Sequence, residues 1–343
     1  MRKNVGLMIV FLTVIILMAG CQKKGSEDLS QTTFALGTVI NINLFDEGSQ
    51  ELMTEIIEKI SIIEKAMSRK LKDSEISQIN RQAGISPVKV SEETFFIIDK
   101  AIQFAKLSNG KFDPTLGPVI ELWGIGTEAA KVPDSKELSK VLSKVDFRKI
   151  QLDKKEQTVF LELEGMALDL GGIAKGFVAD AVIELLRENK INNAMLNLGG
   201  NVFAYGEKDN GEPWKIAIQN SFNQRNSYFA YVEIVDKSVV TSGSYERYFE
   251  ENGLAYHHIF DAVTGFPVQT EVVSVTVIAA SSTDADALST ILFALPIAEG
   301  IALVEKLEGI ECIYVTEDNK IYLSSGAKEF FVLTDSSYVV NSD

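Results

Sequence analysis

The chain contains very little cysteine and histidine. Its 343 residues include two cysteines, Cys21 and Cys312, and two histidines, the adjacent pair His257 and His258. Two cysteines do not make a disulfide framework, and because the only histidines are adjacent, the chain cannot build a Cys/His zinc site. A metal bound by this chain would therefore be a hard cation held by oxygen atoms.

Basic residues are also in deficit. Lysine and arginine total 33 against 48 aspartates and glutamates, which gives a net charge of −15 at pH 7. Nucleic-acid binding needs a basic surface, so the composition argues against nucleic acid as a partner. The apolar content of 46% is ordinary for a globular protein, and the length allows one large domain or two lobes.

The N-terminus has the order of a bacterial lipoprotein signal. A basic pair at 2–3 precedes an apolar run over 5–18, and small residues at 19 and 20 precede Cys21. We therefore predict a signal peptide over 1–20 and a lipid attached to Cys21, which would leave Cys312 without a disulfide partner. The alternative is an uncleaved anchor helix, although the apolar run is shorter than the roughly 20 residues that span a bilayer.

Both the cleaved lipoprotein signal and the uncleaved anchor helix would place the folded part outside the cytoplasm. The prediction is a protein lipid-anchored to the outer face of the cytoplasmic membrane or to a periplasm-facing membrane. Residues 21–31 are mostly polar and lack periodicity, which predicts a flexible tether after the lipidated cysteine. The remaining residues, 32–343, are predicted to form the folded domain.

The hydrophobic pattern predicts an α+β fold. Apolar residues at helical spacing predict helices over 51–67, 91–107, 174–188, 282–293 and 297–307. Alternating or β-branched runs predict strands over 33–44, 158–163, 193–198, 214–219, 228–235, 239–242, 258–260 and 273–279. Long strands with separated helices favour α+β over a doubly wound parallel sheet.

Residues 108–126 combine turn dipeptides with large apolar side chains. Turn dipeptides that contain glycine or proline are interspersed with Phe112, Leu116 and Trp123. A charged segment, predicted to be exposed, follows over 128–143. One interpretation is a long connection fastened to the core. The other is the wall of a ligand pocket.

The segment from Asp169 to Gly176 carries the first candidate chemistry. A carboxylate ends an extended run, Gly171 and Gly172 allow close approach to a ligand, and Lys175 lies in the first turn of a predicted helix. Free N–H groups and the helix dipole favour a phosphate at this place. The spacing is neither a Walker A loop nor a dinucleotide fingerprint, and a plain strand–helix turn with a surface lysine is the other interpretation.

Asp286 and Thr290 are four residues apart at the start of a predicted helix, so they share one face. A carboxylate beside a hydroxyl suits Mg²⁺, which takes few protein oxygens. The alternative is structural, because Thr283 with Asp286 also has the spacing of a capping box. The two histidines are equally open: one is a candidate general base, or both are structural.

Taken together and in order, these segments resemble the ApbE family of FAD:protein FMN transferases, many of whose members are lipoproteins. The resemblance rests on 36–38, 67–80, 110–115, 117–124, 169–176, 197–201, 242–247, 258–265 and 285–290. It covers nearly all of the predicted mature chain. The resemblance implies mixed sheets with flanking helices in a T-fold-like architecture, with two lobes and the active site between them.

The resemblance also implies an activity. The family cleaves the pyrophosphate of FAD with Mg²⁺, moves FMN onto a Thr or Ser hydroxyl of a target protein and releases AMP. The expected partners are FAD and exported flavin-accepting subunits of membrane redox complexes. The alternatives are a Mg²⁺-dependent FAD pyrophosphatase that gives FMN and AMP, and a flavin-binding lipoprotein without turnover.

The family's site residues carry over by motif. Asp286, Thr290 and the carbonyl of Gly172 would be the Mg²⁺ ligands, and His258 would be the base that takes the acceptor's hydroxyl proton. The residues that would contact FAD are Leu36, Lys70, Phe112, Asp113, Pro114, Asp169, Lys175, His258 and Ile259. The chain departs from the family at Leu36, where many members have Met, and at Arg69-Lys70, where they often have Thr-Tyr beside the flavin.

Overall fold

The computed structural model describes residues 29–45, 48–208, 210–219 and 227–341. The predicted signal peptide and Cys21 lie outside these residues. Within them, no helix is both long enough and apolar enough to cross a membrane.

Seventeen strands and eight α-helices make up the described fold. The strands are β1 Leu29–Ala35, β2 Thr38–Leu44, β3 Val88–Lys89, β4 Ile150–Asp153, β5 Thr158–Leu161, β6 Ala194–Leu198, β7 Asn201–Tyr205, β8 Trp214–Gln219, β9 Tyr228–Ile234, β10 Lys237–Gly243, β11 Tyr248–Glu251, β12 Leu254–His257, β13 Val272–Ala279, β14 Glu311–Thr316, β15 Lys320–Leu323, β16 Phe331–Leu333 and β17 Val339–Val340. The helices are α1 Gln50–Met67, α2 Glu75–Arg81, α3 Glu92–Leu107, α4 Gly117–Trp123, α5 Ser135–Leu142, α6 Ala174–Glu188, α7 Ser282–Phe293 and α8 Ile297–Val304. Short 3₁₀ turns lie at Phe147–Lys149 and Gly326–Glu329.

A nine-stranded sheet forms the centre of the fold. Its order is β1-β2-β6-β7-β10-β13-β14-β15-β17, and all neighbours are antiparallel except β15 and β17. One face packs against α1, α3, α6 and α7 in a large apolar core. The other face packs against the small sheet β16-β9-β8 in a second core. Every residue of β13 is buried, because both faces of this strand are covered.

The sequence predicted one continuous strand over 33–44, and this prediction is wrong. Residues 33–44 form the hairpin β1–β2, which turns at Leu36 and Gly37 with φ angles of 54° and 70°. Positive φ at both turn residues matches the twist of a two-residue hairpin. The hairpin starts at Leu29, so 29–31, which we predicted as the end of the tether, pair with β2 instead.

Other corrections concern short elements. The irregular stretch 108–126 contains α4, which has Pro118 in its first turn and ends at Gly124 in a left-handed conformation. The exposed segment 128–143 contains α5. Residues 258–260 do not form a strand, because the chain bends after β12 and Phe260 makes only an isolated bridge to Pro267.

A third, smaller apolar cluster surrounds Trp123. Its indole Nε1 donates a hydrogen bond of 2.8 Å to the Gly265 carbonyl. The ring lies against four other aromatic rings, those of Phe249, Tyr256, Phe260 and Phe266. The loop 112–116 and the segment 259–260 each contribute to both this cluster and the large core. These two connections therefore mark the boundary between the large core and the cluster around Trp123.

Candidate functional site

The segment 169–176 lies at this boundary and connects the parts of the site. The backbone N–H of Asp169 donates to the Pro114 carbonyl at 2.8 Å, which holds the segment against the loop 112–116. Its other end is the first turn of α6, which packs against α7. The predicted strand–loop–helix therefore brings the loop residues and the α7 residues to one place.

Asp286 on α7 is buried at the start of α6. The residue is 3% exposed, and its carboxylate accepts a hydrogen bond from the Gly176 N–H at 2.9 Å and one from Lys175 Nζ at 3.3 Å. The close approach depends on Gly176, because a Cβ there would lie 2.1 Å from the Ser282 carbonyl oxygen. Asp286 is therefore a buried carboxylate with one cationic partner.

The geometry decides between the two interpretations of Asp286. Ser281 is the N-cap of α7, and its Oγ accepts from the Asp284 N–H. Thr283 directs both its N–H and its hydroxyl to Asp180 of α6. Since other groups cap the helix, the carboxylate of Asp286 is not a cap and faces the start of α6.

Gly172 and Thr290 lie next to each other. A Cβ on Gly172 would be 3.4 Å from Thr290 Oγ1 and 3.1 Å from the ring of Phe112. Among the described residues, no backbone N–H donates to the Gly172 carbonyl, because the Gly176 N–H that would complete a helical turn bonds to Asp286 instead. Gly172 thus lies beside the Thr290 hydroxyl, and Thr290 is one helical turn along α7 from the Asp286 carboxylate.

This donor set fits Mg²⁺. The described residues contain no group of three His, Cys, Asp or Glu side chains that could hold a metal by themselves. A cation here would keep coordination positions for water and phosphate, as Mg²⁺ commonly does. The residues that would hold it are the predicted Gly172, Asp286 and Thr290.

The structure separates the two histidines. His257 uses both ring nitrogens: Nε2 lies 3.0 Å from the Val268 carbonyl, and Nδ1 accepts from the Ile259 N–H at 3.2 Å. Its ring also packs edge-on against Phe293. His257 is therefore a structural residue.

His258 uses only one of its two ring nitrogens in hydrogen bonds with the described residues. Its Nδ1 lies 3.2 Å from the Arg247 carbonyl, which can only accept, so this nitrogen carries the proton. Nε2 makes no hydrogen bond with any described residue. Burial, together with the positive charges of Arg247 and Lys175, lowers the pKa of His258 to about 4. The side chain is thus neutral at pH 7 and offers an unprotonated Nε2 near Lys175.

Asp169 has an arginine partner. Arg69 Nε lies 2.6 Å from Asp169 Oδ2, and the other carboxylate oxygen accepts from the Gly171 N–H. The neighbouring Lys70 is exposed, and its side chain makes no hydrogen bond or ion pair with the described residues. The sequence pattern singled out Lys70, whereas Arg69 is the cation that meets Asp169. Contact between Lys70 and a flavin stays a prediction.

The loop 112–116 supports the site in different ways. The ring of Phe112 flanks Gly172, whereas the carboxylate of Asp113 accepts from Thr115 and Phe147 within its own surroundings. Burial raises the pKa of Asp113, against these hydrogen bonds, which lower it. The carboxylate therefore stabilises the conformation of the loop through these hydrogen bonds. A direct contact between Asp113 and FAD stays a prediction.

Leu36 and Ile259 are both connected to His258. The turn that contains Leu36 reaches it through Arg247, and Ile259 is its neighbour in the sequence. The N–H of Leu36 donates to Glu64, and the next residue's carbonyl accepts from Arg247 at 3.4 Å. Arg247 in turn contacts His258, which precedes the buried Ile259. The β1–β2 turn is therefore linked to the candidate base through one arginine, a link with no local sequence signal.

Comparison with known proteins identifies relatives over nearly the whole chain. Residues 36–314 match the model of the ApbE family. The chain is 34% identical over 330 residues to the FAD:protein FMN transferase of Treponema pallidum (strain Nichols), covering 91% of each chain. It is 36% identical over 311 residues to that of Klebsiella pneumoniae (strain 342), covering 91% of this chain and 96% of the relative.

Solved structures share the fold. The ApbE protein of Thermotoga maritima superposes with a TM-score of 0.82 at 32% identity, covering 89% of this chain and 99% of that one. The flavin transferase ApbE from Vibrio cholerae gives a TM-score of 0.80 at 31% identity with the same coverage. The predicted mixed α+β architecture is confirmed.

Proposed function

Because this chain belongs to the ApbE family, we propose that it transfers FMN from FAD to a Thr or Ser hydroxyl of target proteins, in a Mg²⁺-dependent reaction that releases AMP. The observation that carries the proposal is that Gly172 lies against Thr290, while Asp286, four residues earlier on α7, contacts Lys175. A neutral histidine lies near the same lysine.

Each residue has a role that follows from its chemistry. Mg²⁺ bound at the three oxygens would supply positive charge to the pyrophosphate and to the charge that develops on it. Lys175 and the N–H groups at the start of α6 add fixed positive charge beside the same position. The ring of Phe112 lies against Gly172 on one side of this position.

His258 handles the acceptor's proton. Its Nε2 takes the proton from the acceptor hydroxyl while the hydroxyl oxygen bonds to the FMN phosphorus, and the bond from that phosphorus to the bridging oxygen breaks. AMP leaves with the bridging oxygen. Arg247, through its carbonyl, keeps the Nδ1–H tautomer that leaves Nε2 free.

The decisive experiment mixes the purified protein with FAD, Mg²⁺ and a flavin-accepting subunit, and follows AMP release and the acceptor's mass. The proposal requires covalent FMN on one Ser or Thr, together with one AMP per FMN transferred. AMP and free FMN without an acceptor would indicate a pyrophosphatase. Tight FAD binding that survives EDTA, with no AMP formed, would indicate a flavin-binding lipoprotein.

The pH dependence of AMP release follows from the depressed pKa of His258. The neutral form is the active base, so activity is retained above the pKa and lost as pH falls through it. We expect a nearly constant rate from neutral pH down to about pH 5 and a midpoint near 4, instead of the ordinary histidine value of 6.5. A midpoint at 6.5 would show that another environment surrounds the base in the working enzyme.

We further propose that the protein is exported and lipid-anchored through Cys21, where it meets exported loops of membrane redox subunits at raised local concentration. A Cys21→Ala protein is expected to move from the membrane fraction to the soluble extracytoplasmic fraction, with unchanged activity on FAD. Measurement is by fractionation and immunoblotting against the wild-type protein. A Cys21→Ala protein that stays on the membrane would point to an uncleaved anchor helix.

A further inference from the structure

A second carboxylate, on the half-buried Asp180, joins the two helices that carry the site. Asp180 of α6 accepts four hydrogen bonds from the first turn of α7. Oδ1 accepts from the Ser282 N–H at 2.7 Å, and Oδ2 accepts from Ser281 Oγ, the Thr283 N–H and Thr283 Oγ1 at 2.9, 2.9 and 2.6 Å. All four donors belong to three consecutive residues, so the carboxylate holds the whole helix start.

The arrangement is favourable because the first N–H groups of a helix have no partner within it. A negative charge at this end also interacts favourably with the helix dipole. Asp180 and Gly176 are four residues apart on α6 and therefore face α7 together. On the other side, Ser238 of β10 donates to Ser282 Oγ at 2.8 Å. The start of α7 is thus fixed against both α6 and the sheet.

The fixed helix start controls the spacing of the site. Asp286 and Thr290 lie on α7, one and two turns beyond the residues that Asp180 holds, whereas Gly172 and Lys175 lie at the start of α6. A slide or rotation of α7 along α6 would change every distance between these two groups. In the described part of the chain, Asp180 makes no hydrogen bond or ion pair with any of the three candidate metal ligands.

We propose that Asp180 is a positioning residue for the cation site: by holding the start of α7 against α6, it sets the affinity of the site for a divalent cation. The inference rests on the proposed function for the identity of that site. It differs from a merely stabilising role, because a stabilising residue would change the melting temperature without changing cation affinity in the folded protein.

The test measures cation affinity in two ways, with Asp180→Asn and a matched control. Asparagine keeps the size of the side chain but places an N–H₂ group against hydrogen-bond donors. The control is Ser324→Ala, which removes a buried hydroxyl bonded to Glu311 and Cys312, away from α6 and α7. Mn²⁺ binding to the protein without FAD is titrated by electron paramagnetic resonance, and the Mg²⁺ dependence of AMP release is measured separately.

Asp180→Asn is expected to raise the Mn²⁺ dissociation constant and the half-saturating Mg²⁺ concentration by about 10- to 100-fold, as the loss of residues that orient metal ligands does. The rate at saturating Mg²⁺ should stay within about 3-fold, because the ligands themselves remain. Ser324→Ala should lower the melting temperature and leave both cation measurements unchanged. Thr283→Val removes one of the four hydrogen bonds and should raise the Mn²⁺ dissociation constant and the half-saturating Mg²⁺ concentration by a smaller factor. It replaces Asp180→Asn in the test if that variant does not fold.

Equal cation affinity in wild type, Asp180→Asn and Thr283→Val, with Mg²⁺-dependent AMP release by all three, would overturn the inference and leave the proposed function standing. A wild-type protein that binds no Mn²⁺ and releases no AMP with Mg²⁺ would overturn the proposed function itself.

Discussion

Asp286→Asn is expected to lower the rate of FMN transfer by about 10²- to 10³-fold, the range found when one preorganised electrostatic group is removed from an active site. The substitution keeps the shape of the side chain, and its amide oxygen can still accept from the Gly176 N–H. It removes the only carboxylate among the three candidate metal ligands. The fold should therefore persist while cation binding is lost, which circular dichroism and an Mg²⁺ titration of AMP release would check.

Asp284→Asn is the matched control. Asp284 lies two residues earlier in the same helix and pairs with Lys100 at 3.1 Å, on a partly exposed face. This substitution removes the same charge from the same helix, so a general effect of charge on α7 would appear in both variants. We expect Asp284→Asn to keep near wild-type Mg²⁺ dependence. Equal losses in the two variants would contradict a specific role for Asp286.

His258→Asn is expected to lower FMN transfer by about 10²- to 10⁴-fold, the usual contribution of a positioned general base. The asparagine amide can still donate toward the Arg247 carbonyl, as Nδ1 does, but it has no group in place of Nε2. FAD binding should therefore be retained while proton removal is lost. Equilibrium binding of FAD and the rate of acceptor modification, measured on the same preparation, separate the two effects.

His257→Gln is the companion variant. The glutamine amide can donate to the Val268 carbonyl in place of Nε2, whereas packing against Phe293 is reduced. We expect a lower melting temperature with FMN transfer within about 10-fold of wild type, because His257 has no nitrogen free for proton transfer. If instead His257→Gln loses transfer and His258→Asn keeps it, the roles of the two histidines are the reverse of those proposed here.

The acidic character of the protein and its proposed substrate are compatible because the site has its own positive charge. The chain carries a net charge of −15, and the pyrophosphate of FAD is anionic. Lys175 and the start of α6 place positive charge at this position, and a divalent cation held by Gly172, Asp286 and Thr290 would add to it. Local charge of this kind governs binding at short range, since more distant surface charges are screened by salt.

Several parts of the molecule followed directly from the sequence. The bounds predicted for α6 and α7, 174–188 and 282–293, agree with the structure, because helix spacing and the preceding turn or cap residues are local signals. The shortage of cysteine and histidine limited a metal site to oxygen donors. The family resemblance assigned the motifs at 169–176 and 285–290 to one site, and the structure brings the two segments into contact at Gly176 and Asp286.

The tertiary structure decided what each candidate side chain contacts. Adjacent histidines look alike in sequence, and only Val268 and Arg247 show that the nitrogen left free belongs to His258. The spacing of Asp286 allowed a helix cap or a metal ligand, and the cap was assigned to Ser281 and Asp180 by contacts between segments about 100 residues apart. A carboxylate's role depends on the donors that reach it, and here those donors come from distant parts of the chain. Periodicity and capping signals describe a segment's own conformation, so they fixed the helices but not the pairings between them.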